Sequence, residues 1–219
     1  MDKEKLIESI VELEWPMFRE FNCDTRADCQ ENYPMFVNLR TSQFSAWNEE
    51  ALSAYREDLL AAEGEQHNLL RDKYIHMMAS TEPEGYLHFL PELPPVSEEK
   101  KELVEAIWRL MLPQTIELRR KYPSVGKLGR PLYSADERNG YASVETYEKG
   151  ELMTYGEKTL RALLRWIKAQ AEAGVSVAAQ IQEAGILSVG YASMEEAEED
   201  ARRQLLKERT AKNAAPGSR

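Results

Sequence analysis

The chain has 219 residues, of which 42% are hydrophobic, so it is long enough to bury a full core, and we expect one domain. Its formal net charge of -10 argues against a nucleic-acid partner, because proteins that bind phosphate backbones carry a basic surface. The two cysteines, Cys23 and Cys29, are too few for a disulfide framework and lack the paired spacing of a zinc site. We assign no metal ligand and no cofactor; a metal-dependent enzyme is the less favoured alternative, because His67, His76 and His88 have no recognised ligand spacing and carboxylates would have to bind the ion.

The first predicted helix, over residues 3–21, carries an acidic residue in its apolar face. Apolar residues recur at helical spacing along this segment, and at about 100° per residue Glu14 falls in the middle of their face. A carboxylate in such a position needs a partner or takes up a proton. Pro16 removes one backbone donor, so we expect a kink or a break in the helix there.

Residues 22–34 show neither helical nor strand periodicity and are predicted to form a loop. Cys29 and Gln30 are its chemically interesting part. Cys29 is either a small half-buried residue under the loop or a thiol whose pKa is lowered by neighbouring cations. In the second case it would act as a nucleophile or as an acid/base, with Gln30 beside the substrate. Residues 36–40, which follow, fit a strand or a helix.

The segment 38–78 places polar side chains where an ordinary core would hold aliphatic ones. Asn48 is predicted to cap a helix that ends at Gly64, and a further helix is predicted from Glu65 to Ser80. Lys73 projects into the apolar side of this second helix, where it either forms a buried ion pair or takes part in catalysis. The side chains predicted to replace aliphatic ones, and so to form a polar pocket, are Arg40, Gln43, Trp47, Tyr55 and Lys73.

The middle of the chain is interrupted by prolines. Residues 81–95 are predicted to form a Pro-rich connection, after which Ser97 caps a strong helix that Pro113 kinks or ends. Residues 124–140 are predicted to form a loop. Within it, Pro131 holds Arg130 in an extended conformation, which suits an arginine that clamps a carboxylate or phosphate, although a surface ion pair is the commoner use.

The last third is predicted to be helical, beginning with a cap at Ser143. On this helix Tyr147, Glu151 and Tyr155 lie one turn apart on a single stripe, although two glycines weaken the helix. Helices are then predicted up to Gly174, from residue 175 to 184 with an end at Gly185, and from 194 to about 209. We therefore expect one helical domain over 1–210 and a disordered tail over 211–219.

No internal repeat and no β-hairpin signal is found in the sequence. We predict a mainly α fold: a single-domain multi-helix bundle with long Pro-rich loops and little or no sheet. The N-terminus lacks the apolar stretch of a signal peptide, and no apolar run reaches the roughly 18 residues that cross a bilayer. We therefore expect a cytoplasmic protein without a membrane partner.

Taken in order, several short motifs resemble a known family. These motifs are Glu14-Trp-Pro-Met-Phe18, Cys29-Gln30, Arg40-Thr-Ser-Gln43, Ser53-x-Tyr55 with Asp58, Lys73-Tyr74-x-x-Met77-Met78, Gly129-Arg130-Pro131 and Glu145-Thr-Tyr147-x-x-Gly-Glu151-Leu-x-Thr-Tyr155. Over about residues 8 to 200 the chain resembles the bacterial family catalogued as domain of unknown function 4125. The resemblance implies a compact single domain and no particular reaction.

The favoured functional hypothesis is an enzyme, a lyase or transferase that acts by acid/base chemistry on a small amino-acid-like or carboxylate metabolite. The predicted catalytic residues are Glu14, Cys29, Lys73, Tyr147, Glu151 and Tyr155. The predicted substrate-binding residues are Gln30, Arg40, Gln43, Tyr55 and Arg130. In this hypothesis the two arginines bind the acid group of the substrate, and Glu14 or Lys73 moves the proton. Cys29 acts as acid or nucleophile, and Tyr147 or Tyr155 orients the leaving group.

The alternative is a non-catalytic ligand-binding or regulatory helical module, in which the interior polar residues fix the packing of the helices and recognise a ligand. An open cavity beside the polar residues would favour the enzyme, and a closed, fully paired network without one would favour the module. In both cases we expect a small molecule as partner and no nucleic acid. The sequence leaves open whether identical chains associate.

Overall fold

The structure is a computed structural model that describes residues 2–20 and 32–214. Within these ranges the chain forms eleven α-helices and no β-strand, so the predicted mainly α fold is confirmed. The helices are α1 (Lys3–Glu20), α2 (Tyr33–Ser45), α3 (Glu49–Gly64), α4 (Leu69–Thr81), α5 (Pro83–Phe89), α6 (Glu98–Lys121), α7 (Pro123–Leu128), α8 (Val144–Leu152), α9 (Glu157–Glu172), α10 (Val177–Ser188) and α11 (Met194–Ala214).

Neither proline inside a long helix ends it. Pro16 lies within α1 and Pro113 within α6, and both helices continue beyond the proline. Of the alternatives predicted at these prolines, a break at Pro16 and an end at Pro113 are therefore excluded. In α1, apolar residues are buried on both sides of the proline, including Ile10 and Phe18. Packing of that face supplies most of the stability of the helix, so it tolerates one missing backbone hydrogen bond.

Local capping signals set several helix starts. Asn48, Ser97 and Ser143 each accept a hydrogen bond from the backbone N–H three residues later, as predicted. The predicted start of α4 at residue 65 is wrong, and the helix begins at Leu69. Gln66 has a φ of 55°, a left-handed conformation that a helix does not accommodate, and Asn68 provides the cap instead.

Helices α5, α7, α10 and α11 have bounds that differ from the predicted ones. The first residues of the predicted loop over 124–140 belong to α7, which begins at Pro123. The backbone N–H groups of Ser124 and Val125 donate hydrogen bonds to the carboxylate of Glu198 in α11. The predicted connection 81–95 contains α5, and α10 continues past Gly185 to Ser188. The last helix, α11, reaches Ala214, beyond its predicted end, and the remainder of the expected tail lies outside the described residues.

The helices pack so that the polar side chains predicted on their apolar faces point into the interior. Helix α1 packs against α2, α3 and α4, α3 packs against α9, and α4 packs against α8. Helix α6 contacts α8, α9 and α10. Polar residues on the inner faces of α1, α2, α3, α4 and α8 therefore converge. None of the helices described combines the length and the apolarity that a membrane crossing requires.

Candidate functional site

Glu14 of α1 is fully buried and satisfied by two partners. Arg40 of α2 approaches it with Nη2 at 2.5 Å from Oε1 and Nε at 2.7 Å from Oε2, so the guanidinium donates two parallel hydrogen bonds. The hydroxyl of Tyr55 in α3 donates a third hydrogen bond to Oε1 at 2.7 Å. The carboxylate predicted from its place in an apolar face thus has a partner on each of two neighbouring helices.

Glu151 of α8 is the second buried carboxylate, and it accepts four hydrogen bonds. Its Oε1 atom accepts from Arg40 Nη1 at 2.9 Å, from Gln43 Nε2 at 2.8 Å and from the hydroxyl of Tyr155 at 2.5 Å. Its Oε2 atom accepts from the ammonium of Lys73 at 2.6 Å. Arg40 therefore bridges Glu14 and Glu151. We call the seven side chains the charge network: Glu14, Arg40, Gln43, Tyr55, Lys73, Glu151 and Tyr155.

The network contains two carboxylates and two cations, so its charges balance. Burial would raise the pKa of Glu151, but Arg40 and Lys73 outweigh burial and hold that pKa well below its ordinary value. Burial would lower the pKa of Lys73, but the charge of Glu151 raises it above its ordinary value. An ammonium held in this way stays protonated at neutral pH. Lys73 is thus unsuited to the role of proton acceptor.

The two tyrosines of the network remain neutral hydrogen-bond donors. Burial, followed by the charge of Glu14, raises the pKa of Tyr55 well above its ordinary value. Burial and the charge of Glu151 do the same for the pKa of Tyr155. Their ring centroids lie 4.5 Å apart, and Trp47 packs against both rings. Aromatic packing therefore fixes the two hydroxyls on the carboxylates.

Two glycines allow the helices to come close enough for this network. A Cβ atom at Gly150 of α8 would lie 2.7 Å from the side chain of Met77 and 3.2 Å from the backbone oxygen of Lys73, so α8 meets α4 at a backbone contact. A Cβ atom at Gly156 would lie 2.4 Å from the carboxylate of Asp58, which caps α9 by accepting from the Gly156 N–H at 2.8 Å. The first glycine brings Lys73 to Glu151, and the second holds the turn that carries Tyr155.

The stripe predicted on one helix is divided between a helix and the turn that follows it. Helix α8 ends at Leu152, so Tyr155 lies beyond it, contrary to the prediction of a continuous helix. The turn nevertheless returns the Tyr155 hydroxyl to Glu151. Tyr147 lies one turn before Glu151, and the ammonium of Lys73 is 3.7 Å from the centroid of its ring. Arg130 contacts the same ring, with Cζ at 4.9 Å from the centroid.

Two cavities lie beside the charge network. The tyrosine cavity has a volume of about 190 Å³ and is bordered by Gln43, Tyr147, Glu148, Glu151 and Tyr155 at its polar end. The remainder of its wall is apolar and consists mainly of Trp47, Ile107, Met111, Leu152, Leu163, Ile167, Val177 and Ile181. The arginine cavity has a volume of about 260 Å³ and contains Arg119 and Arg130 in its wall. Neither Glu14 nor Lys73 lines either cavity.

Glu148 is the residue that the sequence reasoning missed. It lines both cavities, and its carboxyl group has no hydrogen bond or ion pair within the described part of the chain. Burial, followed by the nearby charge of Glu151, raises the pKa of Glu148 to about 7. Its position three residues before Glu151 was the available signal, because residues at this spacing share one side of a helix.

The predicted residues thus divide into three groups. The charge network brings together seven of them, from Glu14 to Tyr155, while Tyr147 contacts Lys73 and lines the tyrosine cavity. Arg130 stands apart from the network in the arginine cavity. The predictions for Cys29 and Gln30 concern residues outside those that the structure describes.

Comparison with known proteins identifies the family and nothing beyond it. The family described as "Protein of unknown function (DUF4125)" matches residues 4–199 of the chain. The chain belongs to this family. No curated protein and no solved structure matches it. The resemblance stated from the sequence motifs is therefore confirmed.

The donors of this DUF4125 chain do not form a metal cluster in the ranges 2–20 and 32–214, where no three His, Cys, Asp or Glu side chains come together to hold an ion. Both buried carboxylates of the charge network are instead saturated by hydrogen bonds from Arg40, Lys73 and their neutral partners. Glu148, which lines both cavities, has no such partner among the described residues.

Proposed function

We propose that this DUF4125 protein is an enzyme, a lyase or a group-transfer enzyme, that carries out acid/base chemistry on a small carboxylate metabolite with Glu148 as the acid/base. The observation that carries the proposal is the carboxyl group of Glu148, which borders two cavities and is unpaired within the described part of the chain. Its pKa of about 7 provides both protonation states at neutral pH, and this property is typical of catalytic acids and bases.

In a lyase reaction, Glu148 would take a proton from a substrate carbon, and the electrons of that C–H bond would form a double bond. The leaving group would depart with its bonding electrons from the adjacent carbon. Tyr147 lines the tyrosine cavity one residue before Glu148, and its hydroxyl makes no hydrogen bond to another described residue. It is therefore suited to orienting the leaving group, as the sequence suggested.

In this proposal the charge network holds the site and does not react. Glu14 and Lys73 are positioning residues, because both are paired and neither borders a cavity. Arg40 is enclosed between Glu14 and Glu151, so the acid group of the substrate falls to Arg130, which lines the arginine cavity. The roles proposed for these residues thus differ from those that the sequence alone suggested.

The alternative of a non-catalytic binding module is favoured by one observation, the saturation of the charge network. Such a network also fixes helix packing in proteins without catalytic activity. The cavities beside the network support the enzyme instead, since a module of this kind was expected to have a closed network without an adjacent cavity. Turnover separates the two, because a binding module leaves its ligand unchanged.

The test is conversion of small carboxylates and amino acids by the purified protein, followed by mass spectrometry of the mixture. Glu148→Gln keeps the size of the side chain and removes its titration, so turnover should fall about 100- to 10,000-fold. Glu172→Gln, at an exposed position at the end of α9, is the matched control and should leave turnover unchanged. Equal turnover by wild type and Glu148→Gln would exclude Glu148 as the acid/base.

A further inference from the structure

We propose that the substrate is an α-amino acid with an apolar side chain, bound with its carboxylate at Arg119 and Arg130, its ammonium group at Glu148 and its side chain in the tyrosine cavity. The inference rests on the proposed function, because it assigns the substrate class of that site. It adds Arg119 to the binding residues and gives Glu148 a second role as partner of the ammonium group.

The arginine cavity is suited to an anion because its cations have no carboxylate partner in the ranges 2–20 and 32–214. Arg119 donates from Nη2 to the backbone oxygen of Arg130 at 2.6 Å, and Arg130 donates from Nη1 to the backbone oxygen of Ala142 at 3.1 Å. Within the described residues neither guanidinium forms a salt bridge. Both retain donors for a carboxylate, which a guanidinium binds through two parallel hydrogen bonds.

Space for Arg119 is provided by a glycine that also lines this cavity. A Cβ atom at Gly126 of α7 would lie 3.1 Å from Cγ of Arg119, so a larger residue would press on the stem of the arginine. Burial without a compensating anion lowers the pKa of Arg119. A bound carboxylate would supply the missing opposite charge.

Glu148 lies where the ammonium group of an amino acid would be. It borders both cavities, whereas the other carboxylate in the walls, Glu151, is already saturated by four donors. In an α-amino acid the ammonium group is attached to the carbon that joins the carboxylate to the side chain. A ligand with its carboxylate in one cavity and its side chain in the other therefore presents the ammonium group at the junction.

The tyrosine cavity selects an apolar side chain. Most of its wall is aliphatic or aromatic, and the polar groups at its end, Gln43, Glu151 and Tyr155, already bond to one another. Apart from the Tyr147 hydroxyl and the Glu148 carboxyl at the polar end, a polar side chain would find no free partner in the described wall, which costs binding energy. Met111 and Ile181 border both cavities, and the unbranched side chain of Met111 can adapt to ligands of different shape. A volume of about 190 Å³ suits one side chain of a small metabolite.

The experiment is equilibrium binding measured by isothermal titration calorimetry with four probes: L-leucine, L-alanine, 4-methylpentanoate and 3-methylbutylamine. Leucine carries three more carbons than alanine, so at about fourfold per buried methylene it should bind about 60-fold more tightly. The acid without an amino group and the amine without a carboxylate should each bind at least about tenfold more weakly than leucine, since each loses a charge-assisted contact.

Variants assign each contact to its residue. Arg119→Gln and, as a second test, Arg130→Gln should weaken leucine and 4-methylpentanoate alike, while Arg109→Gln, an exposed arginine on the same helix as Arg119, should change neither. Glu148→Gln should remove the preference for leucine over 4-methylpentanoate. Thermal unfolding of each variant checks that it is folded.

The outcomes separate this inference from the proposed function. Equal affinity for leucine and alanine, no binding of leucine at millimolar concentration, or unchanged binding by folded variants at both arginines would overturn the amino-acid assignment. If leucine binds as expected but no substrate is converted, the proposed enzymatic function is wrong and the proposed amino-acid ligand stands. If a purely polar acid is converted and Glu148→Gln abolishes that conversion, the proposed enzymatic function stands and the proposed apolar amino-acid substrate is wrong.

Discussion

Replacing Lys73 by methionine should strongly destabilise the protein, because it leaves the charge network with one carboxylate too many. Lys73 provides the hydrogen bond that Glu151 Oε2 accepts, at 2.6 Å, and both side chains are less than one tenth exposed. Removing one partner of a buried ion pair costs about 3–5 kcal/mol. The ammonium also lies 3.7 Å from the ring centroid of Tyr147, and a desolvated contact of this kind contributes about 2 kcal/mol.

The measurement is urea unfolding followed by circular dichroism, with wild type and variants at neutral pH. The control is Lys158→Met, which removes an ammonium from an ion pair with Glu57 whose members are both about two-thirds exposed. Exposed pairs contribute about 0–1 kcal/mol, so this variant should unfold close to wild type. The comparison isolates burial, since the same side chain is changed in the same way.

A double variant tests the charge argument directly. Lys73→Met with Glu151→Gln leaves one carboxylate, Glu14, and one cation, Arg40, and the network is again neutral. It should therefore be more stable than Lys73→Met alone, by roughly 1–3 kcal/mol of coupling between the two sites. A double variant no more stable than Lys73→Met, or a Lys73→Met variant as stable as Lys158→Met, would refute the account of balanced buried charge.

Three further predictions concern packing, titration and capping. Gly150→Ala should destabilise by about 1–3 kcal/mol in urea unfolding, because the new methyl group meets α4, whereas Gly185→Ala in α10, with open space around it, should stabilise by about 0.5–1 kcal/mol. The pKa of Glu148 in the folded protein is raised from 4.5 to about 7, so its contribution to stability should be present below pH 4.5 and be lost as pH rises through 7; Glu148→Gln should remove that slope from the unfolding free energy. Asp58→Ala should cost about 1 kcal/mol in thermal unfolding, because the N–H of Gly156 loses its acceptor at the start of α9; a variant as stable as wild type would contradict that capping role.

Local patterns predicted which residues turn inward, since a helical period reports the direction of a side chain. Glu14 and Lys73 were identified in this way, and both are buried. The period does not report the partner. Glu14 and Arg40 are 26 residues apart, and Lys73 and Glu151 are 78 apart, so their pairing depends on how the helices pack. The sequence therefore identified residues of the network, but it assigned proton transfer to Glu14 and Lys73, which the packing holds in ion pairs.

The cavities could not be predicted for a related reason. They are spaces left where α6, α8 and α10 fail to fill the interior, and no single helix encodes such a gap. Glu148 was unremarkable in the sequence because its neighbours do not place it in an apolar face. Its spacing from Glu151 was the one available signal, and the two cavities that it borders appear only once the helices are packed. The start of α7, set by Glu198, was hidden in the same way.

The bridge made by Arg40 has a dynamic consequence. One guanidinium, that of Arg40 in α2, joins Glu14 of α1 to Glu151 of α8. Separating any of these three helices would therefore leave a buried carboxylate or the guanidinium without its partner, which is costly. Helices α1, α2 and α8 should therefore open together, in a single cooperative fluctuation, and their slowest amides should exchange with deuterium at a common rate. Helix α11, which has no residue in the charge network, is free to fray on its own and to exchange sooner.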